Sequence, residues 1–389
     1  MDKINNISAI TDCYGCGVCA TACPKNIINI RHNSDGFYQP YIDELDKCIQ
    51  CGLCLKVCSY TKDSISSPNT VKQSYASWSK DKIIRSKSSS GGTGFEIGRN
   101  LIQQGFEAIG VRYNAKLNRA EHYIASSIEE LQPAMGSKYI QSYTVDAFKK
   151  IDKNKKYLVT GTPCQIDSFR RYIKLMKIED RFILMDFFCH GVPSKLIWDK
   201  YLDYIKKQTG NVIHASWRNK ETSWHNSYSI SVEGEKSNFS SQYSKGDVFY
   251  RLFLSDNCLG KACYDKCKYK YNSSSADIRI GDLWGKKYLE NEEGITGVII
   301  FTEKGEQVIK DCNCHLKPEP FMTVADGQMT TPAKRGKLYE RIWKLLHNDK
   351  STIQEIAKII NRDINRKRTI NRLRHPYRTF INLVKRIVK

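Results

Sequence analysis

Eight cysteines near the start of the chain carry the clearest chemistry. Cys13, Cys16, Cys19 and Cys23 stand as C-x-x-C-x-x-C-x-x-x-C with Pro24 behind them, and Cys48, Cys51, Cys54 and Cys58 repeat the same offsets. At that spacing three thiolates from one tight loop cap three irons of a cubane cluster. Zinc also uses C-x-x-C pairs, but a structural zinc site takes four ligands, usually as two separated pairs, and has no use for a triple run written twice. Gly17 and Gly52 each follow the second Cys of a run, where a residue without Cβ lets the backbone fold closely around a cluster. The chemistry is electron transfer, and its destination must be sought downstream.

The tandem resembles a bacterial two-cluster ferredoxin, in which the fourth Cys of each run reaches across to the other cube. The resemblance assigns Cys13, Cys16, Cys19 and Cys58 to one 4Fe-4S cluster and Cys48, Cys51, Cys54 and Cys23 to the second.

Further cysteines follow. GTPCQ places Cys164 at a strand-to-helix turn and FFCHG places Cys189 at the end of the next strand. Ends of neighbouring strands in an α/β layer converge, so these two are compatible with a redox pair, buried small hydrophobes or half of a metal site. NCLGKACYDKCKYK adds Cys258, Cys263 and Cys267, and five cysteines at three loop positions point to one more cluster, although Cys is also a frequent core residue. SSSGGTG, Ser88 to Gly94, precedes a helical stretch; it reads either as a bare turn or as a loop presenting N–H groups to an anion. His190 is the only His inside a motif, and either donates a proton to a reduced acceptor or satisfies a local carbonyl. Cys312 and Cys314 have no partners at cluster spacing and read as structural.

In order, SSGGTG, GSKY, GTPCQI, FCHGVPS, CYDKCKYK and ADIRIGDLWG resemble the beta-subunit family of deazaflavin-reducing (coenzyme F-420) hydrogenases and dehydrogenases, from about Tyr75 to Thr302. The resemblance implies FAD and one further 4Fe-4S cluster. It places Ser90, Gly91, Gly92 and Thr93 at the FAD, with Gly136, Ser137, Lys138 and Tyr139 beside it and Asp282 and Trp284 near the flavin or acceptor cleft. Lys138 would stabilise an anionic reduced flavin or hold a phosphate. Cys164, Cys189, Cys263 and Cys267 would ligate the third cluster. The family usually has C-x-x-C in the last segment, whereas Cys263 and Cys267 are one residue further apart, so Cys258 stays open as a substitute.

The elements that must position these groups can be read coarsely. Residues 1–60 form the cluster module, and 61–72, rich in Ser, Thr and Pro, read as a linker. Residues 73–330 start as alternating strands and helices and become more antiparallel after Asn211. Residues 331–389 form a basic helical tail. The fold class expected is α+β: a two-cluster ferredoxin domain, an α/β-to-α+β flavin-binding domain, and the tail. Ser351 to Gln354 predicts a capping box opening a helix with Ile353, Ile356, Ala357, Ile360 and Ile364 on one face.

The 389 residues carry a net charge of +21. From Lys334 onward, 17 Lys and Arg face 4 Asp and Glu, so the excess belongs mainly to the tail. Such a helix suits the anionic face of a membrane or a solvated surface; the absence of a recognised nucleic-acid module and the little aromatic interleaving argue against nucleic acid. MDKINNISAI lacks a signal-peptide h-region, and no apolar run approaches the ~20 residues of a membrane span. A cytoplasmic protein is therefore expected, with peripheral contact at the inner membrane face through the tail.

The reading is an iron–sulfur flavoprotein oxidoreductase that passes electrons from a low-potential carrier, such as ferredoxin, to FAD and then to an organic acceptor, a glycan precursor among the candidates. Its rival is a non-catalytic relay subunit of a larger hydrogenase or dehydrogenase.

Overall fold

The computed structural model describes residues 5–67 and 70–374. At its centre is a nine-stranded sheet of β3 (Gln73–Ser79), β4 (Glu107–Asn114), β5 (Arg119–Ala125), β6 (Ser142–Tyr143), β7 (Tyr157–Thr160), β8 (Phe182–Phe187), β12 (Ile278–Asp282), β13 (Thr296–Ile300) and β14 (Cys314–Pro318). Their order is β14-β3-β13-β12-β8-β7-β4-β5-β6. The four middle strands β12, β8, β7 and β4 run parallel. Beyond them β13, β3 and β14 pair antiparallel on one side and β5 on the other.

The apolar runs explain the centre. All five residues of β13 and the first five of β8 are buried, as expected of strands covered on both faces. Alternation divides β8 between two cores. Ile183 and Met185 meet Phe95, Ile97 and Leu101 of the Thr93–Gln103 helix, while Phe182 and Leu184 meet Ile166, Phe169 and Ile173 of the Pro163–Leu175 helix.

The N-terminal unit pairs β1 (Ile28–His32) with β2 (Tyr38–Ile42) beside two short helices, Val18–Ala22 and Leu53–Lys56. It does not stand apart from the body. Val18 and Val57 are buried in the same cluster as Phe148 and Phe169. The Tyr38 N–H donates to Gln141 Oε1 at 2.8 Å, and Thr144 Oγ1 donates to the Cys16 carbonyl at 2.8 Å.

The stretch read as a linker is strapped to the Pro163–Leu175 helix. The Ser66 N–H donates to Asp167 Oδ1 at 2.6 Å, Arg171 donates to the Ser64 carbonyl at 2.5 Å, and Lys174 to the Ser66 carbonyl at 3.0 Å. A polar segment reads as a spacer in one dimension; its backbone is held here by a helix about a hundred residues away.

A second, three-stranded sheet joins β9 (Val212–Arg218), β10 (Tyr228–Gly234) and β11 (Asn238–Gln242). Trp198, Tyr201, Trp217, Phe249, Tyr250 and Phe253 fill the core beside it. The tail contributes to that core through Ile342, Trp343, Ile353, Ile356 and Ile360, so its first half belongs to the body. Its capping box is Thr352 with Glu355, one residue later than the sequence pattern places it: the Thr352 N–H donates to Glu355 Oε2 at 3.0 Å, and the Glu355 N–H to Thr352 Oγ1 at 3.4 Å. Ser351 is instead buried, and its carbonyl accepts from Lys200 Nζ at 2.8 Å. The amphipathic stretch after Pro376 lies outside the described residues. No helix among those described is long and apolar enough to cross a membrane.

Candidate functional site

The cysteines gather in three quartets. Cys13 feels the charge of Cys16 and Cys58, Cys16 that of Cys58, and Cys19 feels all three. Burial is the first cause of their raised thiol pKa values, with Cys13 pushed up to about 12 and Cys16 to about 11. Cys23, Cys48, Cys51 and Cys54 ring one small cavity of about 20 Å³, and Asn6 Nδ2 donates to Cys48 Sγ at 3.6 Å. Cys19 also feels Cys54, which sets the two quartets side by side. Among the described residues no three His, Cys, Asp or Glu side chains converge on a single-ion position; a four-iron cluster, with one thiolate per iron, asks for thiols spread around a larger volume.

Gly17 and Gly52 have φ of +72° and +70° and cap the two short helices. A Cβ on Gly17 would lie 2.3 Å from Thr144 Oγ1. The glycine thus serves the turn around the thiols and the close seating of the N-terminal unit on the body together.

Cys164, Cys189, Cys263 and Cys267 form the third quartet. Cys164 feels Cys189 and Cys263, and Cys189 feels Cys267. Cys263 lies on the short helix Lys261–Asp265 and Cys267 just beyond its end, which accommodates the extra residue of their spacing. Cys258 is elsewhere: it is 0% exposed within the aromatic core and donates to the Leu252 carbonyl at 3.4 Å. Cys312 and Cys314 are buried against the Thr93–Gln103 helix, and the Cys312 thiol donates to the Val308 carbonyl at 3.1 Å.

Cys164 also feels Cys16, so the third quartet adjoins the first. Tyr14 sits at the junction. Its hydroxyl donates to the Lys266 carbonyl, its ring meets Tyr60 at 5.3 Å and Tyr269 at 5.8 Å, and burial and the nearby Cys164, Cys267 and Cys263 raise its pKa. Sequence reasoning passed over it because a Tyr between two cluster cysteines has no spacing signal.

Beside the third quartet a cavity of about 440 Å³ opens at the carboxyl ends of β7, β8 and β12, the edge where an α/β sheet binds ligands. Tyr14 and Cys189 line one part of its wall, and Ser90, Gly92, Gly136, Ser137, Lys138, Tyr139, His190, Asp282 and Trp284 line the rest with their neighbours. Gly91 and Thr93 do not reach it. The Gly91 N–H donates to Thr296 Oγ1 at 3.0 Å, and Thr93 Oγ1 donates to Ser77 Oγ at 2.8 Å. A Cβ on Gly91 would lie 2.4 Å from the Ser77 carbonyl. These two lock the loop against β3 and β13, and Ser88 takes their place at the cavity, buried and with no partner for its hydroxyl.

Lys138 Nζ donates to the carbonyls of Pro133, Met135 and Gly136 at 2.7, 2.9 and 3.0 Å. Among the described residues no carboxylate pairs with it, and burial draws the ammonium down to about 7. The centre of the electrostatics is Arg218, which the sequence pattern showed only as an alternating strand residue. Its side chain is 0% exposed and pairs with Asp282 at 2.9 Å; it also donates to Ser227 Oγ, the Ser89 carbonyl and Tyr139 Oη. The guanidinium lies 4.6 Å from the Tyr228 ring centre and 5.6 Å from that of Trp284, and Trp224 stacks on Trp284 at 4.9 Å. Asp282 is the anchor of this cation.

The His190 ring is not spent on a local carbonyl. Its Nε2 faces Asp256 Oδ1 at 2.8 Å, and the His190 carbonyl accepts from Lys270 Nζ at 2.9 Å. Asp256 holds a left-handed φ of +58° and gave no motif.

The two N-terminal thiol quartets, ahead of a mixed parallel and antiparallel α/β body, are those of an iron–sulfur protein of the electron-transferring oxidoreductase type. Residues 12–62 match the 4Fe-4S dicluster domain, which gives the N-terminal domain its two 4Fe-4S clusters. Residues 154–318 match the family described as the C terminus of the coenzyme F420 hydrogenase/dehydrogenase beta subunit. The two matches together place a ferredoxin-like domain ahead of a region similar to that beta-subunit family. No curated protein matches the chain. Among solved structures, a chain of the F420-reducing NiFe hydrogenase complex from Methanosarcina barkeri is similar at a TM-score of 0.46 and 17% identity, over 79% of this chain and 96% of that one.

Proposed function

We propose that the protein is an iron–sulfur flavoprotein oxidoreductase in which Cys23, Cys48, Cys51 and Cys54, then Cys13, Cys16, Cys19 and Cys58, then Cys164, Cys189, Cys263 and Cys267 hold three 4Fe-4S clusters in series, leading to FAD in the cavity. The observation that carries this is the position of the third quartet, with Cys164 feeling Cys16 on one side and Cys189 lining the cavity on the other. The cavity suits an aromatic, anionic cofactor: its volume is in the range of organic-ligand sites, its wall includes Tyr139, Tyr228 and Trp284, and Ser88 Oγ offers a buried, unused hydrogen-bonding group. When bound, FAD converts electrons arriving singly into a two-electron transfer.

The chain's own groups have separable roles in this reading. Arg218, fixed by Asp282, holds Tyr139 and the Ser89 carbonyl in the wall. Lys138, held by three backbone carbonyls, supplies a positive charge that is lost as pH rises. His190, oriented by Asp256, is placed to give a proton to a reduced acceptor in the cavity.

Anaerobic purification with iron, sulfide and flavin measured per chain tests the scheme. About twelve irons and one FAD support three cubanes and the cofactor; eight irons and a chain that rejects FAD would defeat it. Lys138 yields a sharper readout. Its folded pKa lies below the ordinary lysine value, so the cation is lost as pH rises through about 7. Affinity for FAD, an anion, should therefore fall by up to about ten-fold between pH 6 and 8. Lys138→Met should bind FAD weakly with no such slope; a slope unchanged in that variant removes Lys138 from the site.

The exposed setting of Cys51, with Leu45 and Ile49 exposed nearby, favours a second reading in which another redox protein docks there and the chain acts as a relay subunit. Purified alone, an enzyme should re-oxidise its reduced flavin with a small organic acceptor. A relay subunit should stay reduced until its partner is added.

A further inference from the structure

The Ile353–Arg374 helix is divided. Ile353, Ile356, Ala357 and Ile360 are buried in the body, whereas every residue from 365 to 374 is exposed. The helix is therefore anchored by its first half and projects with its second. Residues 361–374 carry six Arg or Lys and one acidic residue, Asp363, which pairs with Lys367 at 2.6 Å. Ile370 and Leu373, three residues apart and so on one face, are 39% and 76% exposed. In sequence the pattern continues: residues 375–389 hold Tyr377, Phe380, Leu383, Val384, Ile387 and Val388 among Arg378, Lys385, Arg386 and Lys389, with no Asp or Glu.

We propose that this projecting helix docks the protein on an anionic lipid bilayer, with Ile370 and Leu373 entering the headgroup boundary and Arg362, Arg366 and Arg374, which flank them on the same side of the helix, meeting lipid phosphates. Charge complementarity identifies the surface as anionic, and the apolar residues choose the bilayer over nucleic acid. A phosphate backbone rewards cations and stacked aromatic rings but gains nothing from exposed Ile and Leu. A lipid interface uses both the charges and the apolar face. No described helix can cross the membrane, so contact is at the interface.

The test is co-sedimentation of the full-length holoprotein with phosphatidylcholine vesicles, with and without phosphatidylglycerol. Binding is expected only with phosphatidylglycerol, and it should weaken as salt screens the charges. Arg362→Glu, Arg366→Glu and Arg374→Glu together should lower partitioning on the order of 100-fold, at about five-fold per cation removed. Ile370→Asp with Leu373→Asp should weaken it at low salt too, with cluster absorbance unchanged. Indifference to phosphatidylglycerol would overturn the proposal. So would sensitivity to the charge reversals but not to the apolar pair, or displacement from vesicles by RNA or duplex DNA.

Discussion

Cys189→Ser is expected to lower the iron content from the roughly twelve per chain of the three-cluster proposal to about eight. The N-terminal clusters should still bleach with dithionite while electrons no longer reach the cavity. Cys263→Ser should behave alike, because its thiol belongs to the same quartet. The informative comparison is Cys258→Ser. Cys258 lies in the aromatic core and feels Asp256 rather than other thiols, so its loss should spare every iron and cost about 1–3 kcal/mol of stability, the usual penalty for burying a hydroxyl. Iron lost from the Cys258 variant and retained in the Cys263 variant would reverse the assignment of the third quartet.

Arg218→Met should be a severely damaging change, because Arg218 braces the cavity wall from behind through Ser89, Tyr139 and Asp282. It removes the cation paired with Asp282 at a position with no exposure, leaving that carboxylate the Trp224 indole N–H at 3.0 Å, and strips donors from Ser227, the Ser89 carbonyl and Tyr139 at once. Breaking a buried pair from one side costs about 3–5 kcal/mol, because the remaining charge keeps its desolvation penalty. The measurement is the unfolding midpoint by tryptophan fluorescence under anaerobic conditions, set beside FAD retention. Arg218→Met with Asp282→Asn should recover part of the midpoint, since the negative charge left without its cation is gone, and recover none of the FAD. A midpoint within experimental error of the parent would show that the pair carries no structural weight.

How far residues alone reveal a site depends on whether their partners are near in sequence. The two N-terminal cysteine runs were legible because their loops wrap a cluster locally. The strands were legible for the same kind of reason: β8 and β13 are apolar runs, and β9 and β10 alternate. The cap at Thr352 shows the limit even for local signals. Ser351 and Gln354 fit the pattern equally well, and Lys200, from another helix, takes the Ser351 carbonyl and shifts the start by one residue.

The sequence by itself determined that this chain binds iron through repeated thiol loops and that an α/β layer follows them, since both depend on spacing along a few turns of backbone. Only the tertiary structure decided which of Cys258, Cys263 and Cys267 lie with Cys164 and Cys189. It likewise decided that Gly91 and Thr93 brace the sheet while Ser88 faces the cavity, and that Arg218 and Asp256 hold Asp282 and His190. Those choices depend on side chains from strands and loops separated by tens to hundreds of residues, brought together by packing that leaves no period in the sequence.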